Sequence, residues 1–197
     1  MAKKKKTESL SPLRGQEADS PHAALKLRHR LQGHTSSVYR MALSPNGRIL
    51  ASPSSDKSVR LWNVESGRGL KTLEYPDSTV SVGWSIDGTM LATGGGYQNM
   101  KVYLSDTTTG RQTRILEGHG DAVKGVVWSP DGKILASCSD DSTIRLWDTA
   151  SGRLLRALKG HSNVEGVAWS PDSRWLCSGL WDKTINLWNP KNGEKSA

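Results

Sequence analysis

Three sets of histidine, serine and aspartate recur along this chain in the same order, and each could be arranged as a catalytic triad. In the first set His34 would be the general base, Ser52 the nucleophile and Asp56 the residue that orients the base. The other two sets have the same types in the same order: His119, Ser137 and Asp141, then His161, Ser178 and Asp182. One nucleophilic site is enough for an enzyme, so a threefold occurrence favours a structural role.

The stretch from Gly118 to Asp148 shows which elements position these residues. It contains three short runs of apolar and β-branched residues, separated by Ser129-Pro130-Asp131-Gly132 and by an Asp-rich turn. Short runs divided by such turns predict an antiparallel meander of three strands. Copies of the stretch recur at 33–63 and 160–189, and a weaker copy without the His and Trp lies at about 76–103.

The repeat length can be measured on the serine that opens the first turn of each copy. These serines recur at a nearly constant interval, and they are Ser44, Ser85, Ser129 and Ser170. An aromatic residue follows at the same distance from the serine in every copy: Trp62, Tyr103, Trp147 and Trp188. A repeat of about 40–45 residues with Gly-His near its start and Trp-Asp at its end is typical of a β-propeller blade. On these motifs the chain resembles the WD-repeat family from about residue 24 to residue 193.

The resemblance implies an all-β fold of four antiparallel blades, each of four strands, with a degenerate second blade. Blades of this family resemble those of seven- and eight-bladed rings, so four should form an open arc or half of an eight-bladed ring. The expected blade bounds are about 33–73, 76–116, 118–158 and 160–193. Residues 24–31 match the run before the other Gly-His pairs. They are predicted to be the outer strand that closes the last blade, whose third strand ends at Trp188-Asn189.

The resemblance also implies a role for the recurring polar residues. In the family Asp accepts a hydrogen bond from His, and Ser links His to a Trp indole. The tetrads predicted on this chain are His34, Ser52, Asp56 and Trp62; His119, Ser137, Asp141 and Trp147; and His161, Ser178, Asp182 and Trp188. Such a buried network specifies a blade and exposes no nucleophile, so we expect no catalytic residue.

The second repeat departs from this pattern. It keeps Thr93 at the Ser position, with Tyr97 predicted at the Asp position, Tyr103 at the Trp position and Tyr75-Pro76 in place of Gly-His. In the second, third and fourth repeats, a Trp just before the first turn is predicted to pack between blades: Trp84, Trp128 and Trp169.

Basic residues are concentrated at the N-terminus. Residues 1–30 hold 8 Lys/Arg and 3 Asp/Glu, a net charge of +5, whereas residues 31–197 hold 19 and 16, a net charge of +3. Residues 1–23 include Lys3 to Lys6 and have almost no apolar periodicity, which predicts a disordered basic tail. Whether the lysine run is a nuclear-import signal, and whether Ser11 and Ser20 are phosphorylated, stays open.

Several classes of protein are not supported by the sequence. It contains no run typical of a signal peptide or a membrane span. The histidines are dispersed and no CxxC or HExxH spacing occurs, so we expect no metal and no cofactor. Cys138 and Cys177 show no pairing pattern, which favours a reducing, intracellular compartment, cytoplasmic or nuclear.

In the family, partners commonly dock on the narrow top face of the propeller. The positions involved lie at the start of the first strand of each blade and just before the tetrad Asp. Carried onto this chain they are Tyr39, Lys124, Glu165, Ser55, Gly96, Asp140 and Trp181. Trp181, in a turn expected to be exposed, is the strongest candidate for an interface anchor. We therefore predict a non-catalytic scaffold for protein partners; the alternative is a nucleic-acid-associated module that binds through the basic tail.

The expected open arc also bears on how copies of the chain assemble. An open arc of four blades leaves two apolar blade faces uncovered, and such patches drive association. One hypothesis is a homodimer that completes an eight-bladed ring, with the N-terminal strand of each copy closing the last blade of the other. A strained four-bladed monomer and a fragment that is unstable alone are the alternatives.

Overall fold

The computed structural model describes residues 26–195, and every regular element in that part of the chain is a β-strand. The strands form four antiparallel sheets, blades 1 to 4, in which neighbours pair in chain order. Blade 1 consists of β1 Ala42–Leu43, β2 Ile49–Pro53, β3 Ser58–Asn63 and β4 Gly69–Glu74, and blade 2 consists of β5 Thr79–Trp84, β6 Met90–Gly95, β7 Val102–Asp106 and β8 Gln112–Leu116. Blade 3 consists of β9 Val123–Trp128, β10 Ile134–Ser139, β11 Thr143–Asp148 and β12 Leu154–Lys159. Blade 4 consists of β13 Val164–Trp169, β14 Leu176–Leu180 and β15 Ile185–Trp188. The predicted all-β fold of antiparallel blades is confirmed.

The turns between the first two strands of each blade follow from their sequences. In blade 3 the Asp131 carboxylate accepts hydrogen bonds from Ser129 Oγ at 2.6 Å and from the Lys133 amide at 3.1 Å. Gly132 then takes a left-handed conformation with φ of 72°, which glycine adopts without a steric penalty. This Ser-Pro-Asp-Gly turn returns the chain into β10.

A hydrophobic core lies at each junction between successive blades. Aliphatic residues of the second and third strands of one blade pack against the next blade. At the junction of blades 3 and 4, for example, Ile144 and Leu146 pack with Leu176 and Trp188. Because each blade covers the face of the one before it, the chain buries its apolar residues along a curved stack rather than in one central core.

The arrangement of the four blades is open. On the face of blade 4 that points away from blade 3, Ile185 is 77 % exposed and Leu187 is 48 % exposed. The residues at the same positions of blade 3, Ile144 and Leu146, are 0 % and 1 % exposed because blade 4 covers them. The predicted open arc is therefore confirmed.

The first strand of blade 1 is short because of a proline. The register of β1 with β2 pairs Ala42 with Ala51 and so places Arg40 opposite Pro53. Proline has no amide hydrogen to donate to a neighbouring strand. Strand pairing accordingly stops at Ala42. Beyond the break the Tyr39 amide donates to the Pro53 carbonyl at 2.9 Å, and an isolated bridge joins Val38 to Ser54.

In blade 4, the outer strand that we expected from residues 24–31 stays a prediction. The sheet of blade 4 has three strands, and residues 26–31 belong to no strand. After β15 the chain turns back, and Lys195 forms an antiparallel bridge with Trp188, as Gly69 does with Trp62 and Leu154 with Trp147. Lys195 therefore lies at the position where the outer strand begins in blades 1 and 3.

The predicted register of blade 2 is wrong at its third strand. In blade 1 the second strand starts at Ile49, which pairs with Asn63, whereas in blade 2 it starts at Met90, which pairs with Asp106. The turn between β6 and β7 is therefore two residues longer than its counterpart in blade 1. As a result Ser105, and not Tyr103, occupies the Trp position. The predicted basic tail at residues 1–23 lies outside the described residues.

Candidate functional site

Blade 3 brings its four predicted tetrad residues together. His119 Nδ1 donates to the Asp141 carboxylate at 2.9 Å, and His119 Nε2 lies 2.8 Å from Ser137 Oγ. The Trp147 indole nitrogen donates to the same Ser137 oxygen at 2.8 Å. With the histidine proton on Nδ1, the Ser137 hydroxyl donates to Nε2 and accepts from the indole, so every polar atom of the chain of bonds is used.

Blade 1 repeats this arrangement with nearly equal distances. His34 Nδ1 is 2.8 Å from the Asp56 carboxylate, His34 Nε2 is 2.7 Å from Ser52 Oγ, and Trp62 donates to Ser52 Oγ at 2.8 Å. The glycine before each of these two tetrad histidines has a positive φ, 153° at Gly33 and 139° at Gly118. The two tetrads tie the loop before the first strand to the second and third strands.

The aspartates of these two tetrads stay ionised. Burial tends to raise the pKa of the Asp141 carboxyl, but hydrogen bonds from His119, Thr143 and Gly120 outweigh this effect. The pKa of Asp141 is therefore held well below its usual range, and a matching set of donors does the same for Asp56.

The geometry does not suit nucleophilic catalysis. The serines at the nucleophile position, Ser52, Ser137 and Ser178, are 3 %, 0 % and 1 % exposed. Each hydroxyl oxygen accepts a hydrogen bond from a Trp indole of its own blade. A substrate carbonyl cannot approach an oxygen that is enclosed in this way, so the arrangement can organise a blade but not attack a substrate.

Blade 4 forms only half of its predicted tetrad. Trp188 donates to Ser178 Oγ at 2.9 Å, but His161 is exposed and bonds neither Ser178 nor Asp182 in the described structure. Asp182 accepts instead from the Thr184 amide and hydroxyl. The cause is visible in the sequence, because the segment from the His to the Ser is one residue shorter in blade 4 than in blades 1 and 3. The loop into β13 is therefore too short to carry the imidazole to its partners.

Blade 2 has a different buried network at the same place. The Tyr75 hydroxyl lies 3.1 Å from Thr93 Oγ1 and 3.2 Å from Ser105 Oγ. Tyr75 precedes Thr93 by the same interval that separates His from Ser in blades 1 and 3, so it takes the His position, while Ser105 takes the Trp position. Tyr103 packs edge-to-face on Tyr75, with ring centroids 5.3 Å apart. Tyr97, which we expected at the Asp position, is 64 % exposed on the surface.

The tryptophans before the first turns join neighbouring blades through hydrogen bonds as well as packing. Trp84 donates its indole N–H to the Ala42 carbonyl at 3.0 Å, and Trp128 donates to the Gly83 carbonyl at 3.2 Å. Trp169 likewise reaches Val127 in blade 3 at 3.3 Å. Each bond runs from one blade to the inner strand of the preceding blade, so these tryptophans belong to the scaffold.

The predicted top-face residues pair with each other inside their blades. The Tyr39 hydroxyl is 3.0 Å from Ser55 Oγ in blade 1. In blade 3, Lys124 Nζ is 3.7 Å from the Asp140 carboxylate. In blade 4 the corresponding pair is Trp181 and Glu165.

The Trp181 indole N–H donates to Glu165 Oε2 at 3.0 Å, yet the Trp181 side chain remains 62 % exposed. Gly96 is buried against Ser78, whose carbonyl accepts the Gly96 amide at 2.8 Å. Gly96 therefore offers no side chain and little surface to a partner.

Two residues of this face were missed from the sequence. The Arg40 guanidinium of blade 1 reaches across to blades 3 and 4, where it bonds the Lys124 carbonyl at 3.2 Å and pairs with the Glu165 carboxylate. The Tyr97 hydroxyl of blade 2 donates to the Asp140 carboxylate of blade 3 at 3.3 Å. A signal for Arg40 exists, because the other blades have Ser81, Gly125 and Gly166 at its position, and these small residues leave room for its side chain.

Residues 26–195 contain neither a group of potential metal ligands nor a membrane-spanning helix. No three His, Cys, Asp or Glu side chains there are grouped in a way that could hold a metal ion. Within the same range no helix has the length and apolar character needed to cross a membrane. The basic tail, on which the nucleic-acid alternative depends, is outside this range.

Repeated antiparallel blades, joined by inter-blade tryptophans and stabilised by histidine-centred networks, define a β-propeller repeat protein. The profile of the family described as "WD domain, G-beta repeat" matches residues 25–63, 110–148 and 152–189, and leaves the degenerate second repeat unmatched. The chain belongs to this family, and the predicted WD-repeat resemblance is confirmed. Proteins of the family are generally non-catalytic scaffolds for protein interactions.

Three proteins with different names are similar to this chain in sequence. Over 167 residues the chain is 32 % identical to Protein HIR1 of Cryptococcus neoformans, covering 76 % of this chain and 19 % of that protein. It is 37 % identical over 135 residues to Nuclear distribution protein PAC1 of Arthroderma benhamiae, covering 62 % and 29 %. WD repeat-containing protein VIP3 of Arabidopsis thaliana is 36 % identical over 147 residues, covering 66 % and 44 %.

Solved structures with a similar fold are larger than this chain. The structure of U3-55K superposes with a TM-score of 0.76 at 22 % identity and covers 84 % of this chain and 53 % of its own length. The RRP9 WD40 repeats give the same TM-score and identity, with 52 % of that chain covered. At this identity the likeness concerns the fold alone. The chain thus spans about half of these propellers, and less than half of the three relatives named above.

Proposed function

We propose that this chain is a non-catalytic scaffold that binds a protein partner on its top face. The observation that carries the proposal is a set of exposed aromatic residues on that face. Tyr39 is 43 % exposed, Tyr97 is 64 % exposed and Trp181 is 62 % exposed. Exposed aromatic side chains of this size are typical anchors of protein interfaces.

The polar atoms of these aromatics support the proposal further. Each is already hydrogen-bonded to a neighbour, Tyr39 to Ser55, Tyr97 to Asp140 and Trp181 to Glu165. A ring held in this way loses little rotational freedom when a partner covers it. The face therefore offers preorganised apolar area with its polar groups satisfied, which favours a protein or peptide over a charged polymer.

We predict that Trp181→Ala weakens capture of top-face partners by about tenfold or more, because a large exposed anchor is lost. The test is quantitative affinity capture from cell extract with wild-type and variant chains. Trp175→Ala is the matched control, since Trp175 is an exposed Trp of the same blade at the opposite end of β14. Partners that are lost equally from both variants, or from neither, would contradict a top-face site at Trp181.

An intracellular location, cytoplasmic or nuclear, belongs to the same proposal. The described cysteines support it, because Cys138 and Cys177 are both free thiols. The name of one relative, Nuclear distribution protein, is in keeping with an intracellular role.

We also propose that two copies of this chain associate through their uncovered blade faces. Blade 4 exposes Ile185 and Leu187, the counterparts of residues that form the core between blades 3 and 4. On the opposite side of the arc, blade 1 exposes Met41 at 57 % and Leu43 at 56 %. At each internal junction, a face equivalent to the exposed face of blade 4 packs against a face equivalent to the exposed face of blade 1. A second copy of the chain could therefore cover both exposed faces.

In sedimentation equilibrium we expect a species of twice the 21.5 kDa chain mass at micromolar concentration. Ile185→Asp should shift it to the monomer, because a charge would be buried without a partner in the joint. Ile115→Asp is the control, since Ile115 is an exposed apolar residue on the outer strand of blade 2. A compact wild-type monomer would overturn the dimer.

A further inference from the structure

A groove of about 610 Å³ separates blades 2 and 3 at the ends of the strands opposite the top face. Its floor is apolar and consists of Met90 and Leu104 from blade 2 and Trp128 from blade 3. Its volume lies within the range of small-ligand and peptide pockets. None of these residues belongs to the top face, so this groove is a separate candidate for binding.

An exposed isoleucine forms the lip of the groove. Ile86 is 51 % exposed and stands in the turn between β5 and β6. The other three blades have proline at this position: Pro45, Pro130 and Pro171. The groove at the junction of blades 1 and 2, which Pro45 lines, has a smaller volume of about 380 Å³. Ile86 also borders this smaller groove, so it is the larger volume that distinguishes the junction of blades 2 and 3.

Arg114 is the one basic residue among those that line the groove. Its side chain is exposed, and Nη1 donates to the Thr149 carbonyl at 3.3 Å, which fixes the guanidinium at the rim. Asp87, the acidic residue of the lining, accepts hydrogen bonds from Ser85 and Thr89 of its own turn. A guanidinium has five N–H donors, so Arg114 retains donors for a carboxylate.

We propose that this groove binds an extended acidic peptide segment of a protein partner. An aliphatic side chain of the segment fills the space between Met90, Leu104 and Ile86, and a nearby carboxylate pairs with Arg114. In an extended chain, residues two positions apart point to the same side, so an apolar residue and an acidic residue at that spacing can reach both features. The donors that Arg114 retains favour a segment with a carboxylate over an uncharged apolar molecule.

The test uses two peptides and the whole chain. Ac-Gly-Leu-Gly-Glu-Gly-NH₂ is titrated into ¹³C-methyl-labelled protein, and the methyl signals of Ile86 and Met90 are followed by NMR. We expect saturable shifts, with binding about two- to fivefold weaker for the matched peptide that has Gln in place of Glu, as for loss of an exposed ion pair. Arg114→Gln should remove the difference between the two peptides.

Two further variants keep the result decisive. Arg156→Gln changes the arginine at the equivalent place in blade 3, which bonds the Lys191 carbonyl, and should leave both affinities unchanged. Ile86→Pro copies the other three turns and should weaken both peptides without a change in thermal stability. The proposal is overturned by absent saturation, by equal affinity for the two peptides with wild-type protein, or by shifts confined to other parts of the chain. Because no top-face residue is involved, the outcome is independent of the Trp181 experiment.

Discussion

Replacement of Asp141 by Ala should lower the free energy of unfolding by about 2–3 kcal/mol, because it removes hydrogen bonds to a charged group and leaves buried donors unpaired. Asp141 accepts from His119 Nδ1 at 2.9 Å, from the Gly120 amide at 2.8 Å and from the Thr143 hydroxyl at 2.7 Å. Chemical denaturation at neutral pH measures the loss.

The matched control is Asp182→Ala, the same repeat position in blade 4. Asp182 is exposed, does not bond His161, and accepts only from Thr184 among the described hydrogen bonds. Its replacement should therefore cost much less than that of Asp141. Equal losses for the two variants would show that the histidine-centred network of blade 3 does not stabilise the fold.

Acid titration provides a second measurement of the contribution of Asp141 to stability. The pKa of Asp141 is lowered in the folded state, so its carboxylate contributes stability that is fully present above the unfolded pKa of about 4. That contribution is lost as the pH falls below this value toward the folded pKa. The difference in unfolding free energy between wild type and Asp141→Ala should accordingly narrow below about pH 4.

The parts of the fold that could be predicted from the sequence depend on spacing within one blade. Ser137 and Trp147 lie on adjacent strands joined by a short turn, and strand pairing places them side by side whatever the neighbouring blades do. The inter-blade role of Trp128 could be predicted for a similar reason, since its position before the first turn recurs in every blade that follows another.

The features that were predicted wrongly or not at all depend on turn lengths and on contacts between distant blades. A constant spacing from the turn serine pointed to Tyr103, but two extra residues in the turn of blade 2 moved Ser105 into the Trp position. One residue fewer before β13 left His161 outside its network. The pairing of Arg40 with Glu165 needs the curvature of the whole arc, which no single repeat encodes.

The second prediction with a large expected effect compares the stability lost on replacing two equivalent leucines, Leu146 and Leu187. Leu146 is 1 % exposed in the core between blades 3 and 4, and its replacement by Ala should cost about 2–5 kcal/mol through lost burial and a residual cavity. Leu187 holds the same position in blade 4, but it is 48 % exposed because no further blade covers it. In a single chain, Leu187→Ala should cost less than about 1 kcal/mol.

The concentration dependence of the Leu187 effect tests what covers this face. Association stabilises the folded state by mass action, so a joint made by a second copy contributes more as protein concentration rises. Denaturation of Leu187→Ala at low and high protein concentration should then show a loss that grows with concentration, whereas the Leu146→Ala loss, which arises inside one chain, should stay constant. A large Leu187→Ala loss at every concentration would contradict the open arc, since it would mean that the same chain already buries this face. A small loss at every concentration would contradict association through blade 4.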